Sequence, residues 1–403
     1  MGETILIRGA RQLITLLGPG KPRRGESLND LGIVSDGAIL IRDGRIEQAG
    51  PTRRVENLRA ARNAREINAT GHVVMPGFVD AAAQLWPRKP SLSQTESGGA
   101  EAKPRRPSGE LSGLSARLLA ARARDVLAGM ARHGTTTVCA VTSTAPDWAT
   151  ELKMLRVLAG LQANPLDVCV AYAGGSGATV DMESLCTEVM PVISRRRLAR
   201  FAVANSTAFE PSDLRRFLAC ARGLGFRLGV FTGNRPPAIR LAIEMEAAMV
   251  ALDSIPEEEI GDLARSHTIT LLQPACGSPL NLDRPRAARP LLESGAAVAL
   301  ASGFGLEDGP TYNMQMVISL ACSKMGLTPA EAISAATINA AHALGYGEEC
   351  GSLEPGKRAD VIILNVEDYR DLPYRFGINH VHMVLKNGAI ICQEGEVKHC
   401  TAR

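Results

Sequence analysis

The feature that most constrains this chain is a long alternation of short apolar runs with segments of helical periodicity, over residues 73–348. The segments between the runs, such as residues 115–132 and 211–224, repeat apolar side chains at helical spacing. Eight strands separated by helices are the count expected of a (β/α)8 (TIM) barrel. We therefore predict an α/β fold of that class, with a doubly wound open sheet as the less favoured alternative. The eight runs are residues 73–79, 136–141, 167–173, 200–204, 227–231, 249–253, 268–272 and 296–301.

Both ends of the chain carry strand patterns instead. Short alternating or β-branched segments flank an Asp43-Gly44 pair near the N-terminus and an Asn387-Gly388 pair near the C-terminus. Such pairs between apolar runs predict tight hairpin turns. Two β-rich ends around a long alternating middle predict one composite β-sandwich assembled from both termini.

These patterns divide the chain into two domains. Residues 1–72 and 349–403 form the two parts of the predicted sandwich, and residues 73–348 form the barrel. Within the barrel, residues 87–113 are rich in Pro, Ser, Gly and charge and show no periodicity. They follow the first barrel strand, on the face where barrel enzymes place their active-site loops. We expect a lid-like loop there.

Composition excludes several classes of function. The net charge is only +3 and aromatic residues make up 4% of the chain, which argues against a nucleic-acid partner. No apolar run reaches the roughly 20 residues of a membrane span, and the first residues do not resemble a signal peptide. The nine cysteines are scattered without a C-x-x-C pair, which is typical of reduced thiols. We expect a cytoplasmic protein without a membrane association.

Three segments carry a resemblance to a known family. Residues 73–80 (VVMPGFVD) resemble the segment that opens the barrel of metal-dependent amidohydrolases, and residues 351–360 (GSLEPGKRAD) resemble the segment that returns to their β domain. Residues 368–379, with DYR and LPYRFGIN, are more selective and resemble imidazolonepropionase. The similarity extends over nearly the whole chain. It implies a barrel with a β-sandwich and hydrolysis of C–N bonds in cyclic amides or imidazolones.

The resemblance places the metal-ligand positions on residues that do not suit a metal. In the family, an Asp-x-His-x-His segment closes the first barrel strand, whereas here Asp80 is followed by Ala82 and Gln84 at the histidine positions. A further metal histidine would stand at Phe231, and the aspartate that binds metal and transfers protons would stand at Gly303. Alanine, phenylalanine and glycine offer no donor atom, and a neutral amide is a poor ligand for zinc or iron. We predict no metal, no other cofactor and no catalytic residue of the ancestral kind.

Other positions of the implied site differ as well. Residues 136–155 match the family pattern without a gap, which argues against a misalignment. The family's lysine and tyrosine after the second strand, its histidine after the third, its glutamate on the fourth and a later histidine align with Val141, Thr144, Gly175, Asn205 and Ser254.

The histidines of the chain give no replacement for the missing ligands. We expect none of the seven at the carboxyl end of a barrel strand, where barrel chemistry takes place. His380 and His382 have the i, i+2 spacing of one strand face and could share a metal, but no third ligand is in view. The seven are His72, His133, His267, His342, His380, His382 and His399.

Without a metal, hydrolysis would need an activated nucleophile or a paired acid and base. Asp80 and Asp253 are the carboxylates near strand ends; we expect a structural role for Asp80 and a helix cap or a ligand contact from Asp253. Cys139, with no histidine near it in sequence, predicts a buried unreactive thiol. The candidates for lining a pocket at the barrel mouth are Cys139, Thr142, Gly175, Asn205, Asp253, Ser254 and Ser302.

These observations predict a degenerate amidohydrolase-fold protein that lacks metal-dependent hydrolysis. Its expected role is non-catalytic, either as a subunit that binds a small-molecule ligand or as a partner in a homo-oligomer or beside an active paralogue. One alternative is an atypical C–N hydrolase with relocated chemistry. Another is a binding protein for a small imidazole- or amide-like metabolite. A polar cluster converging at the barrel mouth would distinguish these alternatives from a structural partner.

Overall fold

A computed structural model describes most of the chain as seventeen strands and a set of mostly short helices. It describes residues 3–87, 111–142, 145, 147–161, 165–174, 181–233, 235–252, 256–276, 288–306 and 309–397. The predicted lid-like loop, residues 87–113, therefore lies almost wholly outside the described residues. The strands are β1 Thr4–Ile14, β2 Ile33–Arg42, β3 Arg45–Pro51, β4 Arg65–Asn68, β5 Val73–Pro76, β6 Phe78–Ala83, β7 Thr135–Val141, β8 Asp167–Gly174, β9 Phe201–Asn205, β10 Arg227–Phe231, β11 Met249–Ala251, β12 Ile269–Leu272, β13 Val298–Leu300, β14 Val361–Leu364, β15 Val381–Lys386, β16 Ala389–Gln393 and β17 Glu396–Val397.

The middle of the chain is a (β/α)8 barrel, which confirms the predicted fold class. Strands β6 to β13 are parallel and pair in chain order, each with the next. Beyond β13, the N–H of Gly303 donates to the carbonyl of Ala82 on β6 at 3.0 Å, so the eight-stranded sheet nearly closes on itself. The carboxyl ends of all eight strands therefore lie on one face of the barrel.

Helices follow the strands and cover the outside of the barrel. Side chains cap the starts of some of them: the Ser115 hydroxyl accepts from the N–H of Leu118, and the Asp147 carboxylate accepts from that of Thr150. Within the described residues, no helix combines the length and apolarity that a bilayer crossing requires. The α-helices are α1 Thr52–Val55, α2 Ala116–Arg132, α3 Trp148–Ala159, α4 Met182–Ser184, α5 Met190–Arg195, α6 Pro211–Gly223, α7 Pro236–Glu244, α8 Glu257–Arg265, α9 Arg289–Glu293, α10 Met314–Met325, α11 Pro329–Ala335, α12 Ile338–Ala343 and α13 Asp371–Tyr374. Shorter 3-10 turns are Gly25–Asn29, Arg59–Asn63 and Ser206–Ala208, and Leu185–Val189 is a π-helical turn.

The prediction of one barrel strand over residues 73–79 is wrong. The run divides at Gly77: β5 pairs with β1 and β14 outside the barrel, and β6 begins the barrel. A Cβ atom at residue 77 would lie 2.2 Å from the Thr136 side chain, so the close approach of the two strands requires glycine. The four residues Val73–Pro76, which the predicted boundary at residue 72 leaves in the barrel, belong to the terminal sheet.

The two chain ends form one mixed β domain, as predicted. Its nine strands run in the order β17-β16-β15-β14-β5-β1-β2-β3, with β4 paired to β1. The turns at Gly44 and Gly388 meet, because a Cβ on either glycine would contact the other hairpin. The sheet therefore folds over its own apolar core as a sandwich, with side chains such as Ile7, Ile39 and Ile363 inside.

A buried group of charged side chains joins this sandwich to the amino-terminal ends of the barrel strands. The ammonium of Lys386, at the end of β15, lies 2.6 Å from Asp167, the first residue of β8, and 2.6 Å from Asp360. Arg358 lies 2.9 Å from the same Asp167. The Lys386 and Asp360 side chains are only 3% and 2% exposed, so each charge depends on the others for compensation.

We predict that Lys386→Met lowers the free energy of unfolding by about 3 kcal/mol, because it leaves buried carboxylates without their ammonium partner. Urea unfolding measures the change. Arg215→Met is the matched control, since it breaks an ion pair with Glu244 in which both side chains are 55% exposed. The control should cost less than about 1 kcal/mol. Equal losses in the two variants would contradict a structural role for the buried group.

Candidate active site

The four positions that the resemblance assigns to metal ligands do lie around the barrel mouth. Ala82 lies in β6 and Gln84 follows that strand, Phe231 ends β10, and Gly303 follows β13. The fold therefore brings these positions to the carboxyl ends of the strands, as the motif spacing predicts. What they carry is a methyl group, an amide, a benzyl ring and no side chain at all.

The amide of Gln84 is already engaged by the protein. Its Nε2 donates to the carbonyl of Thr142 at 3.4 Å, and its backbone N–H donates to the carbonyl of Phe304 at 2.7 Å. The side chain thus links the end of the first barrel strand to the segment after the second. This position contributes a weak bridge between loops and no anionic or imidazole donor.

Gly303 leaves no room for the carboxylate that the resemblance places there. Its φ is +64°, and a Cβ built on it would lie 2.1 Å from Sγ of Cys276 and 3.3 Å from Nε2 of Gln273. The thiol and the amide therefore fill the space that a side chain at residue 303 would need. Glycine here is a packing requirement of the surrounding mouth.

Apolar side chains that follow two barrel strands pack on the barrel interior. Phe231 and Leu306 are partly buried against the apolar interior of the barrel. A tight turn places Leu306, because its N–H donates to the carbonyl of Gly303 at 2.8 Å and its own carbonyl accepts from the N–H of Gly309 at 2.7 Å. The interior beneath them comprises Val79, Ala81, Cys139, Val141, Cys169, Ala171, Ala173, Phe201, Val203, Met249, Ala251, Ile269, Leu271, Ala297, Ala299 and Ala301.

Asp80 lies two residues before Ala82 and is fully buried. Its carboxylate accepts from the Ser302 hydroxyl at 2.5 Å, from the Ser302 N–H at 2.9 Å and from the Ala82 N–H at 3.3 Å. Burial raises the pKa of Asp80 to about 6, although these hydrogen bonds act in the opposite direction. The hydrogen bonds between Asp80 and Ser302 link β6 to the segment after β13, which supports the structural role expected for Asp80.

The remaining predicted pocket residues serve the local backbone. Oδ1 of Asn205 accepts from the N–H and the hydroxyl of Thr207, which caps the turn Ser206–Ala208. Oγ1 of Thr142 accepts from the N–H of Ala173 at 2.8 Å. Gly175, Asp253, Ser254 and Thr144 lie outside the described residues.

Cys139 was expected to line the pocket, and the structure places it elsewhere. Strand β7 continues to Val141, so the thiol lies one pleat below the mouth, fully buried and in register with Cys169 of β8. Contact with the Cys169 thiol and burial raise the pKa of Cys139 well above its ordinary value. Both effects favour the neutral thiol, in line with the unreactive cysteine that the sequence predicts.

Sequence reasoning missed three residues that shape the mouth: Gln273, Cys276 and Leu306. Gln273 directly follows β12 and is almost fully buried, and Cys276 lies against Gly303. The position of Gln273 after the seventh apolar run was a usable signal, because residues that follow a barrel strand point into the mouth. Cys276 and Leu306 carry no comparable signal, since only the folded turns place them.

No described histidine lies among the residues of the mouth. Nε2 of His380 is 3.1 Å from the carbonyl of Arg375, whereas the ring of His382 stacks on His72 at a centroid distance of 5.0 Å. The two therefore have separate partners. His399 is not among the described residues, and within those residues no group of three or more His, Cys, Asp and Glu side chains could hold a metal. The donor set at the mouth does not fit the metal that the resemblance implies.

We predict that Asp80→Asn removes a pH dependence of stability. Because the pKa of Asp80 is raised on folding to about 6 from 3.8, ionisation at higher pH opposes folding. The free energy of unfolding of the wild type should fall by about 3 kcal/mol relative to Asp80→Asn between pH 4 and above pH 6. Urea unfolding at several pH values measures the difference. Parallel profiles for the two proteins would contradict a raised pKa of the buried Asp80.

Comparison with known proteins agrees with the fold. The model of the amidohydrolase family matches residues 242–391. Imidazolonepropionase of Symbiobacterium thermophilum is 34% identical over 98% of both chains, and that of Solibacter usitatus is 34% identical over 97% of this chain and 99% of the other.

Solved structures agree as well. An adenosine deaminase from Xanthomonas campestris with bound zinc gives a TM-score of 0.70 at 17% identity, covering 98% of this chain and 94% of the other. A triazine hydrolase from Arthrobacter aurescens gives 0.72 at 16% identity, covering 98% and 96%. At such identities the likeness concerns the fold alone. The identity to the two imidazolonepropionases over nearly the full length is decisive: this chain belongs to the imidazolonepropionase-like proteins of the amidohydrolase superfamily.

Proposed function

We propose that this protein is a degenerate imidazolonepropionase-like amidohydrolase that has no metal-dependent hydrolysis and acts as a non-catalytic subunit. The observation that carries the proposal is the chemistry at residues 82, 84, 231 and 303. These positions offer one amide, hydrogen-bonded to Thr142, and no carboxylate, imidazole or thiolate. A catalytic zinc site in such enzymes needs three protein ligands and an open position.

The apolar contacts of Phe231 and Leu306 at the barrel mouth support the same conclusion. A hydrolase must hold its substrate and a nucleophilic oxygen at the strand ends, in a site lined with groups that stabilise developing charge. Here Phe231 and Leu306 pack on the barrel interior. The alternative, a C–N hydrolase with relocated chemistry, would draw on Asp80 and Ser302, but both side chains are fully buried and bonded to each other.

A role as a partner is supported by an apolar segment on the surface. Tyr374, Phe376 and Ile378 are 82%, 67% and 57% exposed, and all three belong to the LPYRFGIN motif that most resembles the family. Exposed apolar side chains grouped in five residues are typical of association surfaces. We propose that this segment contacts a second copy of the chain or an active paralogue. Binding of a small-molecule ligand is the other form that the non-catalytic role could take.

We predict that the purified protein neither retains a stoichiometric metal in the barrel nor turns over imidazolone-propionate. Metal analysis by mass spectrometry and a hydrolysis assay with added zinc or iron test this, with the Symbiobacterium thermophilum imidazolonepropionase as the positive control. Ala82→His with Gln84→His should also stay below about 0.1 per second, a hundredth of the roughly 10 per second of a median enzyme. The double variant restores one ligand pair and leaves Phe231 and Gly303 unchanged, and catalytic groups act as a unit. Faster turnover by either protein would overturn the proposal.

We predict that Phe376→Ser with Ile378→Ser shifts the protein to a smaller species in sedimentation velocity, because the variant removes apolar area from the proposed contact. Leu118→Ser is the matched control, since Leu118 is 42% exposed on α2, outside the segment. The control should leave the distribution unchanged. A wild type that remains monomeric alone and together with an active paralogue would contradict the partner role.

A further inference from the structure

Three sulfur-bearing side chains lie together on the outside of the barrel, away from the mouth. Sγ of Cys186 lies 3.9 Å from Sδ of Met182, and Sγ of Cys220, on helix α6, lies 3.6 Å from the backbone carbonyl of Cys186. The two cysteines are 34 residues apart in the chain, so no sequence motif predicts that these side chains lie together. All three side chains are half-buried, and solvent can therefore reach them.

Local backbone geometry explains why the sulfurs converge. Met182 and Cys186 lie one helical turn apart, which places their side chains on the same face. Cys186 belongs to the π-helical turn Leu185–Val189, in which the N–H of Met190 bonds to the carbonyl of Leu185. The carbonyl of Cys186 would next require the N–H of residue 191, and Pro191 has none. The Cys220 thiol fills this place by donating to that carbonyl at 3.6 Å.

Both thiols act as hydrogen-bond donors in this group. The S–H of Cys186 points at the Met182 thioether and that of Cys220 at the Cys186 carbonyl. Burial and the contact with Cys186 raise the pKa of Cys220 to about 12, while the nearby charge of Arg216 acts in the opposite direction. A cation that binds thiolates would displace both protons, and Arg216 would remain to offset the negative charge of the product.

We propose that Met182, Cys186 and Cys220 form a site for a single copper(I) ion. Two thiolates and a thioether are soft ligands that select copper(I) over zinc or iron. Bonds of about 2.3 Å, the length of a zinc–thiolate bond, in a trigonal plane would hold each pair of sulfurs about 4 Å apart, and Met182 and Cys186 already lie 3.9 Å apart.

The binding step balances without a redox partner. Two S–H bonds break and release two protons, two copper–thiolate bonds and one copper–thioether bond form, and the copper remains copper(I). The site depends on no residue of the barrel mouth, so it stands or falls independently of the proposed function.

An anaerobic titration of the reduced full-length chain with copper(I), in competition with a chromophoric copper(I) chelator such as bicinchoninate, tests the proposal. One equivalent should bind in competition with the chelator. Cys186→Ser with Cys220→Ser should abolish that equivalent, and Met182→Leu should weaken it at least tenfold while both thiols remain. Cys322→Ser is the matched control, because Cys322 is a half-buried thiol whose pKa is raised to about 11 by burial and by Glu331, with no sulfur partner contributing. The control should bind as the wild type does.

Each other outcome overturns the site. Retention of the equivalent by the double serine variant would assign the copper to other thiols. Full affinity in Met182→Leu would remove the thioether from the ligand set. If the reduced protein takes up no copper(I) and air oxidation yields a Cys186–Cys220 disulfide by mass spectrometry, the pair is a redox couple and no metal site.

Discussion

The orientation of the two domains depends on the ammonium of Lys386. It lies 2.6 Å from Asp167, at the amino-terminal ends of the barrel strands, and 2.6 Å from Asp360, which directly precedes β14. Desolvating charges is costly, and the attraction compensates only when the geometry satisfies every member. The group therefore holds β15 of the sandwich against β8 at the amino-terminal ends of the barrel strands.

At the opposite end of the barrel, hydrogen bonds link the first and last strands. The pair Asp80–Ser302 and the bond from Gly303 to Ala82 join these strands, so that the barrel nearly closes. Above them, Leu306 and Phe231 cover an interior of small apolar side chains. A mouth that closes by hydrogen bonds and apolar contacts has no need of ligands for its stability. Its residues can then differ from those of a hydrolase while the fold persists.

The comparisons concern the fold, which is a separate property from the donor atoms at the strand ends. Identity of 34% to imidazolonepropionases extends over nearly the whole chain, so barrel and sandwich come from a common scaffold. The conserved architecture resides in strands, turns and apolar faces, whereas catalysis resides in a few donor atoms at strand ends. In the described part of this chain, the residues at the strand ends make hydrogen bonds and apolar contacts, and apolar side chains around Phe376 are exposed.

Sequence alone determined the fold class, the composite sandwich and the identity of the residues at positions 82, 84, 231 and 303, because periodicity and motif spacing are local properties of the chain. Tertiary structure decided the rest. The division of residues 73–79 at Gly77 follows from the Thr136 side chain of a neighbouring strand. The contacts of Cys276 with Gly303 and of Leu306 with the barrel interior depend on turns that bring distant segments together. The contact of Cys186 with Cys220 likewise arises from the packing of neighbouring helices. Contacts between residues far apart in the chain produce no periodicity in the sequence, so no sequence pattern could predict them.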